Sequence, residues 1–384
     1  MAHSFSKILS LCKRRGFLLE LQRKCNGQKG SYVYGPLGAE LKRNIITEWW
    51  YAVVTSSSNV HGIDLKTVIP HENLNIATTD SDDLINRDTS ETTDDTLSCV
   101  LETAKCMDLE PPFGIAQVVG SMFKEGLPST HLPPGSCDGE TMNVQFLCPP
   151  VEERRWFSQW QKKRLRWWRK YSRNPERFSL GEGTEEDGAS KQQCSIQYNF
   201  PWGAQDVESI SNRGDVEWRQ LVDGVERNET LLKMEKESPS LLSMASGVDR
   251  ALWAYMCDAY SEVDRPQAAV HTTVLKLHMS LAPYKVAVLP KDIDNSKLCM
   301  YSRLLSDELK HAGIPTTYSE AGPLDNRLTL QDELGTPYRV ITEAGTLETG
   351  IVTLQGRDTT GEEDMNGKDV LLSIQRMLFG ARIN

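Results

Sequence analysis

The stretch that decides the fold of this chain runs from residue 112 to residue 125 and reads PFGIAQVVGSMFKE. It ends in Phe123, Lys124 and Glu125. An arginine at the position of Phe123 would offer a phosphate a fixed fork of hydrogen-bond donors, whereas a phenyl ring offers none.

The composition of the 384 residues is ordinary for a globular protein of two or three domains. No run of 18 apolar residues occurs, so we expect no membrane span. The nine cysteines form no C-x-x-C pair, which argues against a zinc site or a disulfide scaffold. The net charge of −10 excludes a protein that is basic all over but leaves room for a local basic patch.

A helix is predicted from Pro36 onward, because proline suits the first turn of a helix. Leu37, Leu41, Ile45 and Trp49 then recur every four residues and give the helix one apolar stripe.

Two polar stretches are predicted to be exposed loops. Residues 78–98 carry seven acidic residues and one arginine among many serines and threonines, so we expect this segment to be disordered or loosely held. Residues 181–193 are the second polar loop.

The C-terminal part of the sequence predicts an α/β domain after a linker at residues 261–273. A strand at 284–289 precedes a helix around 298–309, short strands follow near 314–318, 338–342 and 350–354, and a helix near 369–378 closes the pattern. Such alternation is typical of an α/β domain.

Residues 154–171 predict an amphipathic helix with an aromatic face and a basic face. Seven cations without an intervening acid can neutralise nucleic-acid phosphates, and the alternative is a solvated face over an aromatic core contact. Arg164 falls among the aromatic residues, so we expect it to stack or pair internally. The candidate DNA-binding residues are Lys162, Lys163, Arg166, Arg169, Lys170 and Arg173. No nucleotide loop, metal-ligand cluster or hydrolase triad stands out, so we expect no cofactor and no metal.

Several of these segments resemble class II aminoacyl-tRNA synthetases, and glycyl-tRNA synthetase in particular. The stretch 112–125 resembles the motif 2 strand, YGPLG at 34–38 opens a segment similar to the motif 1 helix, and SGVDRAL at 246–252 resembles motif 3. The stretch 281–286 resembles the start of the anticodon-binding domain. The resemblance implies an α+β core with the class II antiparallel sheet and helices, followed by an anticodon-binding-type α/β domain.

The resemblance also implies where ATP would bind. In the family, the motif 2 strand ends in Arg-x-Glu, whose arginine holds the α-phosphate, and the motif 3 arginine holds the γ-phosphate. The corresponding residues here are Phe123, Glu125 and Arg250, and residues 127–134 contain no arginine. We therefore interpret these residues as a vestigial ATP site without catalytic residues. The alternative for Arg250 is a structural ion pair at a helix start.

The first residues of the chain allow two interpretations. Lys7, Lys13, Arg14 and Arg15 occur without an acid in residues 1–19, which suits a mitochondrial presequence. Residues 11–17 also resemble the first structural helix of glycyl-tRNA synthetases, and we favour this second interpretation.

A second resemblance covers nearly the whole chain, to the accessory subunits of mitochondrial DNA polymerase gamma, which are catalytically inactive relatives of class IIa synthetases. It rests on WWRK at 167–170, YNFPWG at 198–203, VLKLH at 274–278 and RDTT at 357–360. It implies a processivity subunit in the mitochondrial matrix and nucleoid, which binds the catalytic subunit and primer-template DNA. The alternatives are an active glycyl-tRNA synthetase and a synthetase-like RNA-binding protein.

The domain boundaries expected from these resemblances are residues 1–260 for the core, 261–273 for the linker and 274–384 for the anticodon-binding-like domain. Vertebrate accessory subunits carry a helical hairpin between motifs 1 and 2 that builds a homodimer. Residues 51–105 form a shortened, partly acidic insert in which we cannot place two amphipathic helices, so homodimerisation stays open beside a one-to-one complex.

The polymerase-binding candidates lie in the C-terminal domain and are Leu347, Gly350, Arg357 and Asp358. Gly350 lies where a turn enters a strand, a place where glycine serves a backbone conformation or a close approach. The alternative is that Gly350 matters only for the turn.

Overall fold

The computed structural model describes residues 2–21, 31–64, 89–120, 139–181, 183–185, 192–216, 218–219, 238–263, 272–359 and 361–383. Within these residues the strands form an eight-stranded sheet, a five-stranded sheet and two two-stranded ribbons.

The first helix belongs to the fold, as the second interpretation of the N-terminus predicted. Helix α1 (Ala2–Arg15) buries Ile8, Leu11 and Cys12, which follow one another at spacings of three and one. Gly16 adopts a φ of +75° just after the helix, in the left-handed region where glycine ends helices without strain. The chain then forms β1 (Leu18–Leu21), which pairs antiparallel with β2 (Ser31–Tyr34).

The predicted apolar stripe after Pro36 is confirmed. Helix α2 (Pro36–Trp50) begins at the proline and buries Leu37, Leu41, Ile45 and Trp49. A π-helical turn at Tyr51–Thr55 continues it.

The central sheet has the arrangement expected from the class II resemblance. Its strands, in spatial order, are β3 (Val60–Gly62), β4 (Phe113–Gly120), β5 (Glu140–Cys148), β10 (Ser240–Gly247), β9 (Gly203–Gly214), β8 (Gln192–Phe200) and β6 (Phe178–Leu180), with β7 (Thr184–Glu185) also on β8. Strands β3 and β4 run parallel, and the other pairs are antiparallel. The motif 2 strand β4 thus lies beside β5, and the motif 3 strand β10 lies beside β5 on its other edge.

One face of this sheet packs on helices and forms the main core. Helix α4 (Glu153–Lys170) and helix α5 (Val248–Ala259) cover it together with α2. Side chains from every second strand residue, such as Val144 and Phe146 on β5, point into this core.

The opposite face is partly covered by helix α3 (Thr89–Met107), and this corrects the predicted acidic loop. Residues 89–98 are helical, whereas residues 78–88 lie outside the described residues. Val100, Leu101 and Ala104 of this helix are buried and pack against the sheet. The acidic residues lie toward the N-terminal end of α3, where negative charge favours a helix.

The buried face of α4 is held by an internal ion pair. Arg164 Nε donates to Glu208 Oε1 at 2.7 Å, and both side chains are almost fully buried. Trp168 Nε1 donates to the second carboxylate oxygen of Glu208 at 2.5 Å. The Arg164 guanidinium lies over the Trp167 ring, 4.7 Å from its centroid, so the expected internal pairing and stacking of Arg164 are both confirmed.

Two segments predicted as loops contain paired strands at their ends. Within the predicted linker, β11 (Tyr260–Val263) pairs antiparallel with β12 (Thr272–Leu275). Within the polar stretch 181–193, β7 pairs with the first residues of β8. Alternation of apolar and polar residues is weak in strands this short, so composition alone predicted loops.

The C-terminal domain is a five-stranded sheet with helices on both sides, as the predicted alternation indicated. Its elements are β13 (Val286–Pro290), α6 (Ser296–His311), β14 (Thr316–Tyr318), α7 (Leu324–Leu334), β15 (Tyr338–Thr342), α8 (Thr346–Thr349), β16 (Ile351–Gly356), β17 (Glu362–Asn366) and α9 (Gly367–Ile383). The spatial order is β14-β13-β15-β16-β17, with β13 parallel to both neighbours and β15, β16 and β17 antiparallel.

The sequence prediction missed helix α7 because its buried stripe is polar. Arg327 and Gln331 are buried one turn apart, followed by Asp332 and Glu333. A search for apolar residues at helical spacing does not detect such a stripe.

Polar contacts hold the segment that precedes β13 against the C-terminal sheet, and they hold α1 against α7. The buried Arg357 guanidinium donates to the carbonyl oxygens of Leu275, Leu277 and Gly335 at 2.8 to 3.0 Å. Arg14 pairs with Glu333 at 2.7 Å, which joins α1 to α7.

The Arg164–Glu208 pair generates a stability prediction. Glu208→Ala would leave a buried guanidinium without its counter-charge, and we expect a loss of about 3–5 kcal/mol in the free energy of unfolding. The measurement is urea unfolding followed by tryptophan fluorescence.

The control is the solvent-exposed pair of Lys7 and Glu262, whose atoms lie 2.8 Å apart. Lys7→Ala should change the free energy of unfolding by only about 0–1 kcal/mol. Equal effects of the two substitutions would contradict a structural role for the buried pair.

Candidate functional site

The basic face predicted on α4 faces solvent. Lys162, Arg166 and Arg169 are exposed on the side opposite the buried Trp168, and Arg173 is exposed just beyond the helix end. Lys162, Arg166 and Arg169 follow one another about one helical turn apart, a rise of about 5.4 Å, and Arg173 lies four residues after Arg169. A row of this kind can neutralise several phosphates of one nucleic-acid strand.

Lys163 does not belong to this exposed row, although the sequence placed it there. Its Nζ donates to Ser57 Oγ at 2.8 Å and lies 4.8 Å from the centroid of the Trp160 ring. Burial first, and then the charge of Arg164, lower the pKa of Lys163 to about 8. Its ammonium is therefore engaged with the protein and offers little to a ligand.

Arg169 and Lys170 combine exposure with internal contacts. Arg169 donates from Nε and Nη2 to the carbonyl oxygen of Phe178 at 3.0 and 2.7 Å, which fixes the start of β6 to α4. Lys170 is half-buried, with its ammonium 5.5 Å from the centroid of the Tyr171 ring. Replacing either residue would disturb packing as well as charge.

The sheet face beside motifs 2 and 3 is lined by neutral polar side chains. Gln117, Gln145 and Ser243 lie on adjacent strands β4, β5 and β10, and all three are buried. Gln145 Nε2 donates to Ser243 Oγ at 3.1 Å. Amides and hydroxyls can orient a ligand but do not counter the charge of a triphosphate. Phe123 and Glu125, the predicted motif 2 residues, lie outside the described residues.

Arg250 lies where the motif 3 resemblance placed it, at the point where β10 runs directly into α5. Its side chain is exposed, and Nη1 donates to the carbonyl oxygen of Asp206 at 3.2 Å. The adjacent Asp249 is buried and accepts a hydrogen bond from Tyr34 Oη at 2.8 Å. Arg250 therefore borders the polar face of the sheet from the start of the helix.

The four polymerase-binding candidates separate into two places at opposite ends of β16. Leu347 is exposed on α8, and Gly350 ends that helix with a φ of +70°. Arg357 and Asp358 lie beyond the other end of the strand, and the guanidinium of Arg357 is buried against main-chain carbonyl groups. Arg357 is thus not accessible to a partner, because its donors are used at the domain junction.

The sequence analysis missed a set of exposed apolar residues near Leu347. Helices α6 and α9 share one core on the same side of the C-terminal sheet. The start of α9 is joined to the end of α8, because Gly367 N donates to the carbonyl oxygen of Gly350 at 2.8 Å. These helices and the first residue of β16 carry the exposed apolar residues Met300, Leu304, Leu347, Ile351, Leu372 and Phe379. The α6 residues Met300 and Leu304 are spaced i, i+4, but this spacing alone does not separate surface from core.

The described part of the chain contains no group of three or more His, Cys, Asp or Glu side chains placed to hold a metal ion. Among the helices of the described residues, none is long and apolar enough to cross a membrane. The cysteines within the described ranges are free thiols.

Comparison with known proteins gives two kinds of relatives. Residues 285–377 match the family model described as "Anticodon binding domain". The glycine–tRNA ligase of Borreliella burgdorferi is 28% identical, with 92% of each chain covered, and that of Treponema denticola is 27% identical, with 93% of each covered. The mitochondrial DNA polymerase subunit gamma-2 of Xenopus laevis is 29% identical, with 97% of this chain and 88% of that protein covered.

The anticodon-binding match falls within the C-terminal α/β domain, and the matches to the glycine–tRNA ligases extend over the central sheet as well. The chain is therefore glycyl-tRNA synthetase-like in sequence and fold, and it carries an anticodon-binding domain over residues 285–377.

Proposed function

We propose that this protein is a non-catalytic accessory subunit of a mitochondrial DNA polymerase. In this role it binds the catalytic subunit and strengthens the hold of the complex on primer-template DNA. The observation that carries the proposal is Phe123, which stands where the motif 2 strand of a glycyl-tRNA synthetase has its ATP-binding arginine. The similarity to the Xenopus polymerase subunit over 97% of the chain supports it and supports a mitochondrial location.

The loss of this arginine is large on the energy scale of a phosphate site. Removing one partner of a buried charge pair costs about 2–5 kcal/mol. Transition-state contacts of an adenylate-forming reaction are at least as sensitive. The neutral side chains of Gln117, Gln145 and Ser243 on the sheet face do not compensate for a missing cation.

The second candidate is an active glycine–tRNA ligase, because bacterial enzymes of that name match more than nine-tenths of this chain. A synthetase-like protein that binds RNA is the third. The second candidate is tested by measuring glycine-dependent ATP–pyrophosphate exchange. The third is tested by comparing the affinities of the protein for RNA and for duplex DNA.

Two surfaces would serve the proposed role. The exposed row of Lys162, Arg166, Arg169 and Arg173 is suited to DNA phosphates. The exposed apolar residues on α6, α8 and α9 are suited to a protein partner, because such residues mark interaction surfaces when they group on one side of a domain. Whether the complex contains one or two copies of this chain is read from its mass after purification with the catalytic subunit.

The first prediction concerns the enzyme activity. ATP–pyrophosphate exchange in the presence of glycine should stay at the level of a no-protein blank, because Phe123 provides no donor for the α-phosphate. Phe123→Arg, which restores the side chain found in the family, serves as a comparison in the same assay. Clear glycine-dependent exchange by the unmodified protein would contradict the proposal.

The second prediction concerns DNA. The double variant Lys162→Ala/Arg166→Ala should weaken binding to a primer-template duplex and reduce the slope of log K against log salt by about 2, one for each phosphate that is no longer neutralised. These two residues are chosen because they are exposed and because Arg169 also fixes β6. The measurement is fluorescence anisotropy over a series of salt concentrations.

The control for the DNA experiment is Lys310→Ala, an exposed cation on α6 in the other domain. A duplex affinity that the double variant leaves unchanged would show that the face is only solvated. Tighter binding to a structured RNA than to the duplex would favour the RNA-binding alternative.

The third prediction concerns the catalytic subunit. Leu347→Glu should lower stimulation of primer extension about tenfold, if this side chain is buried in the complex, because a charge then has to be desolvated. Leu180→Glu on β6 is the matched control, since the two leucines are 40% and 42% exposed. Full stimulation by the Leu347 variant would remove this surface from the proposal.

Gly350 requires a separate test because its φ of +70° strains most side chains. Asparagine at position 350 tolerates the left-handed conformation, whereas glutamate at this position adds a charge as well as backbone strain. We expect Gly350→Glu to lower stimulation and Gly350→Asn to retain it. Thermal melting of both variants distinguishes a disrupted interface from a disrupted fold.

A further inference from the structure

A cleft of about 320 Å3 lies at the junction of the two domains. It includes Arg173, the last cation of the exposed row, but neither Lys162 nor Arg166 and none of the exposed apolar residues of α6, α8 and α9. Four segments meet there: the residues just after α4, the segment that follows β12, the start of β15 and the end of β16. The side chains that matter for its chemistry are Arg173, Lys276, His278, Tyr338, Asp358 and Thr359.

The cleft is positively charged although the chain as a whole has a net charge of −10. Arg173, Lys276 and Arg357 line it together with a single carboxylate, that of Asp358. Arg357 donates to both oxygens of this carboxylate, at 3.0 and 2.7 Å. Among the described residues, the guanidinium of Arg173 and the ammonium of Lys276 form no ion pair. Two cations thus remain available to a ligand at the cleft.

The pKa shifts of Asp358 and His278 are consistent with a positively charged cleft. Burial tends to raise the pKa of Asp358, but the hydrogen bonds and charge of Arg357, with Arg173 and Lys276, lower it below the usual range. Burial first, and then Lys170, Lys285 and Arg357, lower the pKa of His278 to about 4. The imidazole is therefore neutral near pH 7, and its Nδ1 accepts from Ser280 N at 3.2 Å, which leaves Nε2 as the donor.

The walls of the cleft offer flat surfaces. Tyr338 and Pro337 line one part of it, and Tyr171 and His278 line another, with ring centroids 5.1 Å apart. The volume lies at the lower end of the range for small-molecule sites, about 300–1,000 Å3. A ligand of this size with one ring and one anionic group would fill the space.

We propose that this junction cleft binds a nucleotide. The phosphate is held by Arg173 and Lys276 through charge-assisted hydrogen bonds, which are the strong ones in proteins. The ring lies against Tyr338 and Pro337. Because the cleft combines residues 171–173, which follow α4 of the first domain, with the end of β16 of the second, the bound nucleotide also joins the two domains.

The experiment is isothermal titration calorimetry of the full chain with thymidine 5′-monophosphate. We compare it with thymidine and with inorganic phosphate, which carry only the ring or only the anion. We expect the monophosphate to bind and each part alone to bind at least tenfold more weakly. No binding of the monophosphate, or equal binding of inorganic phosphate, would overturn the proposal.

Two substitutions assign the binding to this cleft. Arg173→Gln and Lys276→Gln should each weaken binding of the monophosphate about tenfold, as expected for loss of one charge-assisted hydrogen bond. Lys291→Gln is the control, because Lys291 is an exposed cation of the C-terminal domain that pairs with Glu343. Unchanged affinity in both cleft variants would place the ligand elsewhere and refute the assignment.

A competition experiment distinguishes a free nucleotide from the end of a DNA strand, which carries the same phosphate chemistry. A 5′-phosphorylated oligonucleotide that displaces the monophosphate, when its unphosphorylated form does not, assigns the cleft to strand ends. No displacement by either assigns it to free nucleotides. The variant Lys162→Ala/Arg166→Ala should bind the monophosphate normally, so this proposal and the proposed polymerase function can fail separately.

Discussion

The carboxylate of Glu208 is the group on which the arrangement of the first domain depends. Glu208 lies on β9, within the central sheet. Its carboxylate accepts hydrogen bonds from Arg164 and Trp168, which are one turn apart on α4. This contact fixes the rotation of α4 about its own axis. The opposite side of the helix must then face solvent, and this is the side that carries Lys162, Arg166 and Arg169. A buried pair of this kind contributes little net stability against an apolar replacement, but it is costly to break. Its main effect here is on orientation.

The domain junction depends on a second buried guanidinium. Arg357 uses its donors on three main-chain carbonyl groups and on Asp358, so the segment before β13 is held against the end of β16. This use removes Arg357 from any partner surface, whereas the α8 end of the same strand stays exposed. The two ends of β16 therefore have different roles, one in the junction and one on the apolar side of the domain. The sequence places Leu347 and Arg357 only ten residues apart and does not show this difference.

Much of the fold was predictable from local patterns. The stripe of Leu37, Leu41, Ile45 and Trp49, the strand at 338–342 and the amphipathic helix before Tyr171 all follow from spacing. The helical half of the acidic segment was not predictable, because α3 is held by Val100, Leu101 and Ala104 packing on a sheet formed by distant strands. Lys163 was predicted on the exposed basic face, but its ammonium contacts Ser57 and the Trp160 ring. The contact with Ser57 joins segments that are distant in the sequence, so helical spacing could not predict it. The junction cleft left no local signal, since its side chains come from four separate segments.

The synthetase scaffold and the proposed function are physically compatible. A synthetase needs its sheet to hold phosphates with fixed cations, and this requirement falls on very few positions of the motifs. The packing of the sheet on α2, α4 and α5 does not depend on those positions, because it uses the opposite face of the same strands. In the proposed function, Phe123 in place of an arginine therefore removes a reaction without removing the fold. The surfaces proposed for partners lie on the outer side of α4 and on α6, α8 and α9, where substitutions cost little stability. Such a scaffold can lose its chemistry and gain binding partners by changes that act independently of each other.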